Sequence, residues 1–252
     1  MNIHLSHDQK RLGIDAGSNA AGVIIEAIRN RGSANVILAT GTSQFETLKQ
    51  LIAERGIDWG KVSMFHLDEY IGLPVAHPAS FRKYLQERFL SMVPQLAATY
   101  LINGESDPSS ECERLNQIIS KATIDLALVG IGENGHLAFN DPPADFGTEV
   151  PFLVVDLDAA CRKQQLGEGW FQSLDEVPRK AISMSIRQIL KSGKIICSVL
   201  NSRKAAAVKD CLEGPVSNLH PASILQNHAD CSIYLDHDAA ALLSKEFLGR
   251  AQ

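Results

Sequence analysis

IDLALVGIGENGHLAFNDPP, residues 124–143, decides how the chain is read. It opens on the most apolar run in the protein, Asp125–Gly130, which is too short for a helix with a buried stripe. It fits a strand buried on both faces, the kind found in parallel sheets. Three glycines follow, Gly130, Gly132 and Gly135, spaced as GxGxxG. That spacing raises a dinucleotide site. Two features count against it: Pro142 and Pro143 cut short the helix that the third glycine should open, and the loop carries a titratable His136 and Asp141 that a dinucleotide does not need. These two lie close enough in sequence to meet across a tight loop. A carboxylate beside imidazole fixes its tautomer and favours its charged form, so the pair suits proton transfer.

Outward from this segment, short β-branched runs alternate with helical patterns. The strand candidates are Val36–Thr40, Val62–Leu67, Asp125–Gly130, Leu153–Asp156, Lys194–Leu200 and Ser232–Leu235. The helix candidates are Asn19–Arg29, Gln44–Glu54, Ser80–Phe89, Ser109–Lys121, Arg203–Cys211 and Asp238–Lys245. Ala20, Val23, Ile24 and Ala27 share one helix face at i, i+3, i+4 and i+7. The alternation predicts an α/β fold with a mostly parallel sheet covered on both faces. Ligands in such folds sit beyond the carboxyl ends of the strands, which draws attention to two further loops. Thr40-Gly41-Thr42-Ser43 runs from a strand into a helix, and would aim free N–H groups and two hydroxyls at an anion; an ordinary N-cap is the simpler alternative. Asp68-Glu69 ends another strand. Adjacent strand residues point oppositely, so one carboxylate can face a ligand while the other is tied down by donors.

Composition excludes several classes. Of 252 residues, 45% are hydrophobic and 21% charged, ordinary for a globular protein. A net charge of −5 gives no long-range attraction to nucleic acid or an anionic membrane. No apolar run approaches the roughly 20 residues of a membrane span. Met1–Gly13 is polar and lacks a signal-peptide core. The five cysteines are odd in number, with no CxxC, against a disulfide framework or zinc site and in keeping with a reducing cytoplasm.

Three stretches, TGTSQFETLKQL (40–51), MFHLDEYIGLPVAHPASFRKYL (64–85) and LVGIGENGHLAFNDP (128–142), together resemble the glucosamine-6-phosphate deaminase (isomerase) family, related to 6-phosphogluconolactonases. NSRKAAAVKDCLEG (201–214) and HPASILQNH (220–228) add weaker similarity. The resemblance runs from about Asn19 to about Asp236. It implies a Rossmann-like three-layer α/β/α sandwich in a single domain spanning 1–252, with a lid near 158–177. It also implies deaminating isomerisation of an amino-sugar phosphate, with no cofactor and no metal. Asp68 matches the base that moves a proton between C2 and C1, and Glu69 its neighbour of less defined role. His136 matches the ring-opening histidine and Asp141 its carboxylate partner, although the family usually has glutamate there. Asn134 stands where members carry aspartate or asparagine. Thr40, Gly41, Thr42 and Ser43 match the phosphate loop, and Lys204 a phosphate-binding lysine. For the lid arginine, Arg162 is the candidate, with Gln165 the alternative occupant of that spot. The family includes monomers and larger assemblies, so a homo-oligomer is left open.

His66 stands where the family commonly has asparagine, which would put an imidazole beside the base. With Asp141, it keeps other substrates in play: galactosamine 6-phosphate, a plain aldose–ketose pair or 6-phosphogluconolactone. A non-catalytic sugar-phosphate sensor and a metal hydrolase using His66, Asp68, His77 and His136 are the readings from other classes. The metal reading rests on His66 and Asp68 sharing one strand face. The stretch after the histidine loop, PADFGTEVPFLVV (143–155), has no Arg or Lys, so an allosteric sugar-phosphate site of the kind some members carry there is not expected.

Overall fold

Inward-facing apolar residues alternate along the central strands and so build a core on each side of the sheet. Leu126 and Leu128 pack toward one face, and Ala127 and Val129 toward the other. The computed structural model describes residues 1–249. In chain order the elements are β1 Asn2–Ser6, α1 Gln9–Arg31, β2 Ala34–Leu38, α2 Phe45–Ala53, β3 Val62–His66, β4 Asp68–Tyr70, α3 Phe81–Leu85, β5 Ala98–Tyr100, α4 Pro108–Ile119, β6 Leu126–Val129, β7 Phe152–Asp156, α5 Ala159–Gly167, β8 Lys180–Met184, α6 Ile186–Leu190, β9 Lys194–Val199, α7 Ala205–Leu212, β10 Cys231–Asp236 and α8 Lys245–Leu248. The main sheet has seven strands in the order β1-β10-β9-β6-β2-β3-β5, and every pairing in it is parallel. One face is covered by α1, α2 and α3, the other by α4, α6 and α7. This is the three-layer α/β architecture expected from the alternation.

From β2 the chain moves outward to β3 and β5, and from β6 it moves the other way, to β9 and β10. Strand order therefore reverses between β2 and β6, and a crevice opens beyond their carboxyl ends. A second sheet, antiparallel and in the order β4-β8-β7, stands over that end of the main sheet's β3. The chain passes from one sheet to the other within Leu67, whose N–H still donates to Leu38 O at 3.3 Å while its carbonyl accepts the Met184 N–H at 2.9 Å.

Helix α1 begins ten residues earlier than its periodicity suggested. Asp8 caps it, accepting the Arg11 N–H at 2.7 Å. Its first half contains Gly13 and Gly17, poor helix formers whose placement has a packing cause. A Cβ on Gly13 would lie 2.3 Å from Glu46 Cβ, and one on Gly17 2.6 Å from Gln50 Cβ. The two glycines let α1 and α2 approach closely. They thereby seat α2, whose N-terminus carries the Thr40–Ser43 loop. The helix expected over Asp238–Lys245 is instead a run of turns, with α8 starting only at Lys245. Asp236 accepts the Ala239 N–H at 2.7 Å, and Ala239, Ala240 and Leu243 fill the core from that turn conformation.

Candidate active site

A cleft of about 230 Å³ lies over the carboxyl ends of β2, β3, β6 and β9. Thr40, Gly41, Thr42 and Ser43 line it, as do Asp68, His136 and Lys204. Sequence segments far apart in the chain meet here because their strands are neighbours in the sheet.

The Thr40–Ser43 loop leaves β2 and enters a short 3-10 turn, Thr42–Gln44, that continues into α2. Gln44 ties the loop to β6, its Nε2 donating to Val129 O at 2.9 Å and to Ser43 Oγ at 3.1 Å. On the other side β9 ends in the same way. Ser202–Lys204 form a 3-10 turn that leads into α7. Two helix starts thus converge on one space, a favourable place for an anion. Lys204 is buried, and burial lowers its pKa against the opposing pull of the Glu168 and Glu133 charges. Asn201 begins this second loop with φ 67° and ψ 158°, a conformation strained for any residue but glycine. Its N–H donates to both carboxylate oxygens of Asp236, at 3.1 and 3.0 Å, which holds the loop in place.

The Asp68–Glu69 pair splits as strand geometry requires. Asp68 faces the cleft. Glu69 points away and is fully buried, gathering donors: Tyr70 N–H and Phe81 N–H to Oε1, and Ser80 Oγ and Arg82 N–H to Oε2 at 3.0 and 2.7 Å. It anchors the start of α3 and does not line the cleft. Burial pushes the Asp68 carboxyl up to about 8, with the adjacent Glu69 charge adding to the rise. Asp68 is therefore a stronger base than a free carboxylate. Burial also raises Glu69, against the four hydrogen bonds.

His136 Nδ1 lies 3.1 Å from Asp141 Oδ1. Asp141 is held from three sides: beyond the imidazole, Asn134 Nδ2 donates to Oδ1 at 3.0 Å and the Asp158 N–H to Oδ2 at 3.0 Å. Burial opposes its ionisation, but the His136, Asn134 and Asp158 contacts outweigh that and lower its pKa. Asn134 Oδ1 also accepts the His136 N–H at 3.1 Å, so Asn134 braces both members of the pair from behind. Gly132 faces the ring. A Cβ there would lie 2.4 Å from Cε1 and Nε2 of His136. The glycine pattern that suggests a dinucleotide loop is therefore explained by room for an imidazole. The loop is pinned below by Phe139 N–H donating to Ser183 Oγ at 3.1 Å and Asn140 Nδ2 donating to Met184 O at 2.9 Å. These hold Ala138, on the cleft wall, at φ 52°.

Helix α5 covers the cleft. Asp158 caps it, accepting the Cys161 N–H at 2.6 Å. Arg162, the candidate for the phosphate, does not reach the cleft; its guanidinium donates to Leu174 O and Val177 O in the segment that follows α5. Two and three residues further on, Gln164 and Gln165 point inward instead, as does Glu168. Gln165 Oε1 accepts the Tyr70 hydroxyl at 2.7 Å and Gln164 Oε1 the Glu133 N–H at 2.7 Å. Sequence reasoning named Gln165 only as an alternative and missed Gln164, Glu168, Trp170, Arg88 and Asn201. The adjacent Gln164-Gln165 amides in a helix that needs a buried face were the available signal.

His66 does not stand beside the base. β3 ends at His66 and Asp68 starts a strand of the other sheet, so the two do not share a face. The His66 ring is fully buried, its Nδ1 facing the Ile102 N–H at 3.4 Å, and burial lowers its pKa to about 3. His77 Nδ1 accepts the Ala79 N–H at 3.0 Å, and its ring stacks on Phe171. The four-residue metal set considered from sequence is not assembled.

Residues 7–233 match the family model described as glucosamine-6-phosphate isomerases/6-phosphogluconolactonase. The chain belongs to this family. A glucosamine-6-phosphate deaminase of Oenococcus oeni is 37% identical over 234 residues, covering 92% of this chain and 96% of that protein. One from Listeria monocytogenes is 37% identical over 230 residues, covering 90% and 96%. A solved monomeric glucosamine-6-phosphate deaminase superposes with a TM-score of 0.87 at 32% identity, over 96% of this chain and all of that one. A 6-phosphogluconolactonase of Trypanosoma brucei shares the fold, with a TM-score of 0.79 at 15% identity. No helix among the described residues is long and apolar enough to cross a membrane.

Proposed function

We propose that this chain converts glucosamine 6-phosphate and water to fructose 6-phosphate and ammonia. The observation that carries the reading is one cleft holding an acid/base carboxylate, an imidazole braced by a carboxylate, and two helix starts with a lysine. The relatives named as glucosamine-6-phosphate deaminases support the choice of substrate.

The phosphate sits against Thr40–Ser43 and Lys204 and supplies binding energy that orients the sugar. His136 is placed for the ring. Its Nδ1 faces Asp141, and Nε2 is left for the hemiacetal, donating a proton to the ring oxygen as the O1 proton departs. Asn134 and Asp141 position this imidazole. In the open-chain aldehyde, Asp68 removes the C2 proton, the ammonium passes a proton to O1, and an enolamine forms. Asp68 returns its proton to C1, leaving an iminium at C2. Water adds at C2, the C–N bond breaks with its electron pair leaving on nitrogen, and ammonia departs from the ketose. The Asp68 environment suits this cycle, since a carboxyl raised by burial holds the proton long enough to deliver it. The cationic amino group of the substrate favours the ionised form of Asp68 when the sugar binds. Helix α5 and the segment to Val177 act as the lid, closing over hydroxyls with Gln164, Gln165 and Glu168. The five buried free cysteines suit a reducing cytoplasm.

The test is ammonia release from a panel of glucosamine 6-phosphate, galactosamine 6-phosphate and 6-phosphogluconolactone. Glucosamine 6-phosphate is expected to give the highest kcat/KM; acid release from the lactone without ammonia from either amino sugar overturns the reading. In Asp68→Asn, solvent exchange at C2–H is expected to fall by about 10²–10⁴-fold while sugar-phosphate binding survives. Exchange at the wild-type rate removes Asp68 from the base role.

A further inference from the structure

Beneath the imidazole lies a third side chain that the proposed reaction does not use. Cys161, in the first turn of the lid helix, is fully buried. Its Sγ, an imidazole nitrogen of His136 and an Asp141 carboxylate oxygen all lie within 4.8 Å of one another. His136 Nδ1 is buried and makes no hydrogen bond of good geometry, although Asp141 Oδ1 is 3.1 Å away. An imidazole nitrogen, a thiol sulfur and a carboxylate oxygen are the donors that zinc accepts. The surroundings favour a cation as well. Asp158 stands on the same network, its Oδ2 3.4 Å from Asn134 Nδ2 and its Oδ1 2.6 Å from the Cys161 backbone N, so a second carboxylate lies close to the three donors.

We propose that His136 Nδ1, an Asp141 oxygen and Cys161 Sγ form an inhibitory zinc site, with its fourth position left to water. On binding, the thiol gives up its proton to solvent and a Zn–S bond forms; the ion's own charge makes this favourable. Zn–N and Zn–S lengths of about 2.0 and 2.3 Å require the three donors to draw closer together than 4.8 Å. A rotation of the Cys161 side chain brings the sulfur in. The filled site has two consequences. Nδ1 is coordinated, so the imidazole can no longer alternate between its acid and base forms beside Asp141, and the pair leaves the acid/base cycle. Cys161 belongs to the lid and Asp141 to the loop beneath it, so the ion also fastens α5 down over the cleft.

The test uses the full chain, freed of metal by chelator, and its metal-binding arm is read without substrate. Its outcome is therefore separate from whether the chain deaminates an amino sugar. Cobalt(II) is titrated first. One equivalent is expected to give the thiolate-to-cobalt charge-transfer band and the intense visible bands of a tetrahedral ion, and zinc(II) is expected to displace it. Cys161→Ser and Cys161→Ala are expected to lose the charge-transfer band and to weaken zinc binding by more than about tenfold. Asp141→Asn keeps every cysteine and is expected to weaken zinc binding too, which covers the case of a Cys161 variant that does not fold. His237→Ala breaks the exposed His7–His237 pair, whose ring nitrogens are 3.2 Å apart, and is expected to change neither band nor affinity. In a separate arm with substrate, turnover of the wild type should fall with zinc and return with chelator; turnover that persists at saturating zinc overturns the inhibitory role. Absence of a charge-transfer band in the wild type, a band that survives in folded Cys161 variants, or undiminished zinc affinity in folded Cys161 and Asp141 variants overturns the proposal.

Discussion

Asp68 shows how strongly a single residue's chemistry depends on where the chain turns. Its carboxyl sits at about 8 in the fold against 3.8 for the free group, with burial the larger cause and Glu69 the smaller. A raised folded-state pKa means that the fold prefers the protonated acid. The stability this contributes is complete below about pH 4 and is lost as pH rises toward about 8. Glu69 is raised in the same direction, so the two losses add. Asp68→Asn removes the first loss and leaves the second in place. The melting temperature of the variant is therefore expected to exceed that of the wild type by a margin that widens between pH 5 and pH 8. Each full titrating group is worth at most about 1.4 kcal/mol per pH unit, or roughly 3–6 °C for a chain of this size. Parallel melting curves across that range check the sign; a margin that is constant with pH would mean that Asp68 is ionised in the fold. Sequence made this residue visible because a DE pair after an apolar strand is a local pattern. It hid the pKa because Asp68 is buried by segments, such as α5, that lie far along the chain. His66 was misplaced for a related reason. Period-2 parity holds within one strand, and the chain changes sheets at Leu67.

Elements were legible where their signal was local. The six strands with continuous apolar runs sit within two residues of their expected ends. The missed ones, β1, β4, β5 and β8, are short or mixed in polarity, and their place is fixed by partners: β1 only by β10, and β4 and β7 through β8. The first half of α1 was hidden by glycines that serve packing against α2 and cost helix propensity. The segment 158–177 stood out in the sequence, but which face of α5 turns inward depends on Asp158 and Tyr70, not on composition. Tyr70 follows the Asp68–Glu69 pair on β4, and its hydroxyl donates to Gln165 Oε1 at 2.7 Å in a buried setting. Tyr70→Phe keeps the ring that packs between Phe81, Phe139 and Phe171 and removes only that bond. A net loss of about 1 kcal/mol should raise the open-lid population on the order of fivefold. Amide hydrogen exchange is expected to quicken by that factor over residues 159–177 and to stay unchanged in the central strands. KM should rise while the C2–H exchange rate at saturation holds. A uniform increase in exchange across the protein would instead assign Tyr70 to global stability.

At the scale of the whole molecule, the site exists only when both halves of the main sheet are joined. Thr40–Ser43 follow β2 on one side of the reversal in strand order, and Asn201–Lys204 follow β9 on the other, with β6 between them. None of this order is written in local sequence, since the pairings of β6 with β2 and β9 join residues about 70 to 90 positions apart. An anion held by both loops binds the assembled sheet and not the unfolded chain, so its binding energy adds to global stability. Inorganic phosphate at about 100 times its dissociation constant should contribute about 2.7 kcal/mol. For a domain of this length that corresponds to a rise in melting temperature of roughly 5–10 °C, despite the overall charge of −5. Lys204→Met removes the one buried lysine on the cleft wall and should abolish most of the shift, while a substitution at the exposed Lys49 should leave it intact. The comparison is made against sulfate and chloride at matched ionic strength, because a general salt effect would move all variants alike. An equal phosphate shift in wild type and Lys204→Met would place the anion away from the β2–β9 loops and leave the cleft without its anchor for a phosphosugar.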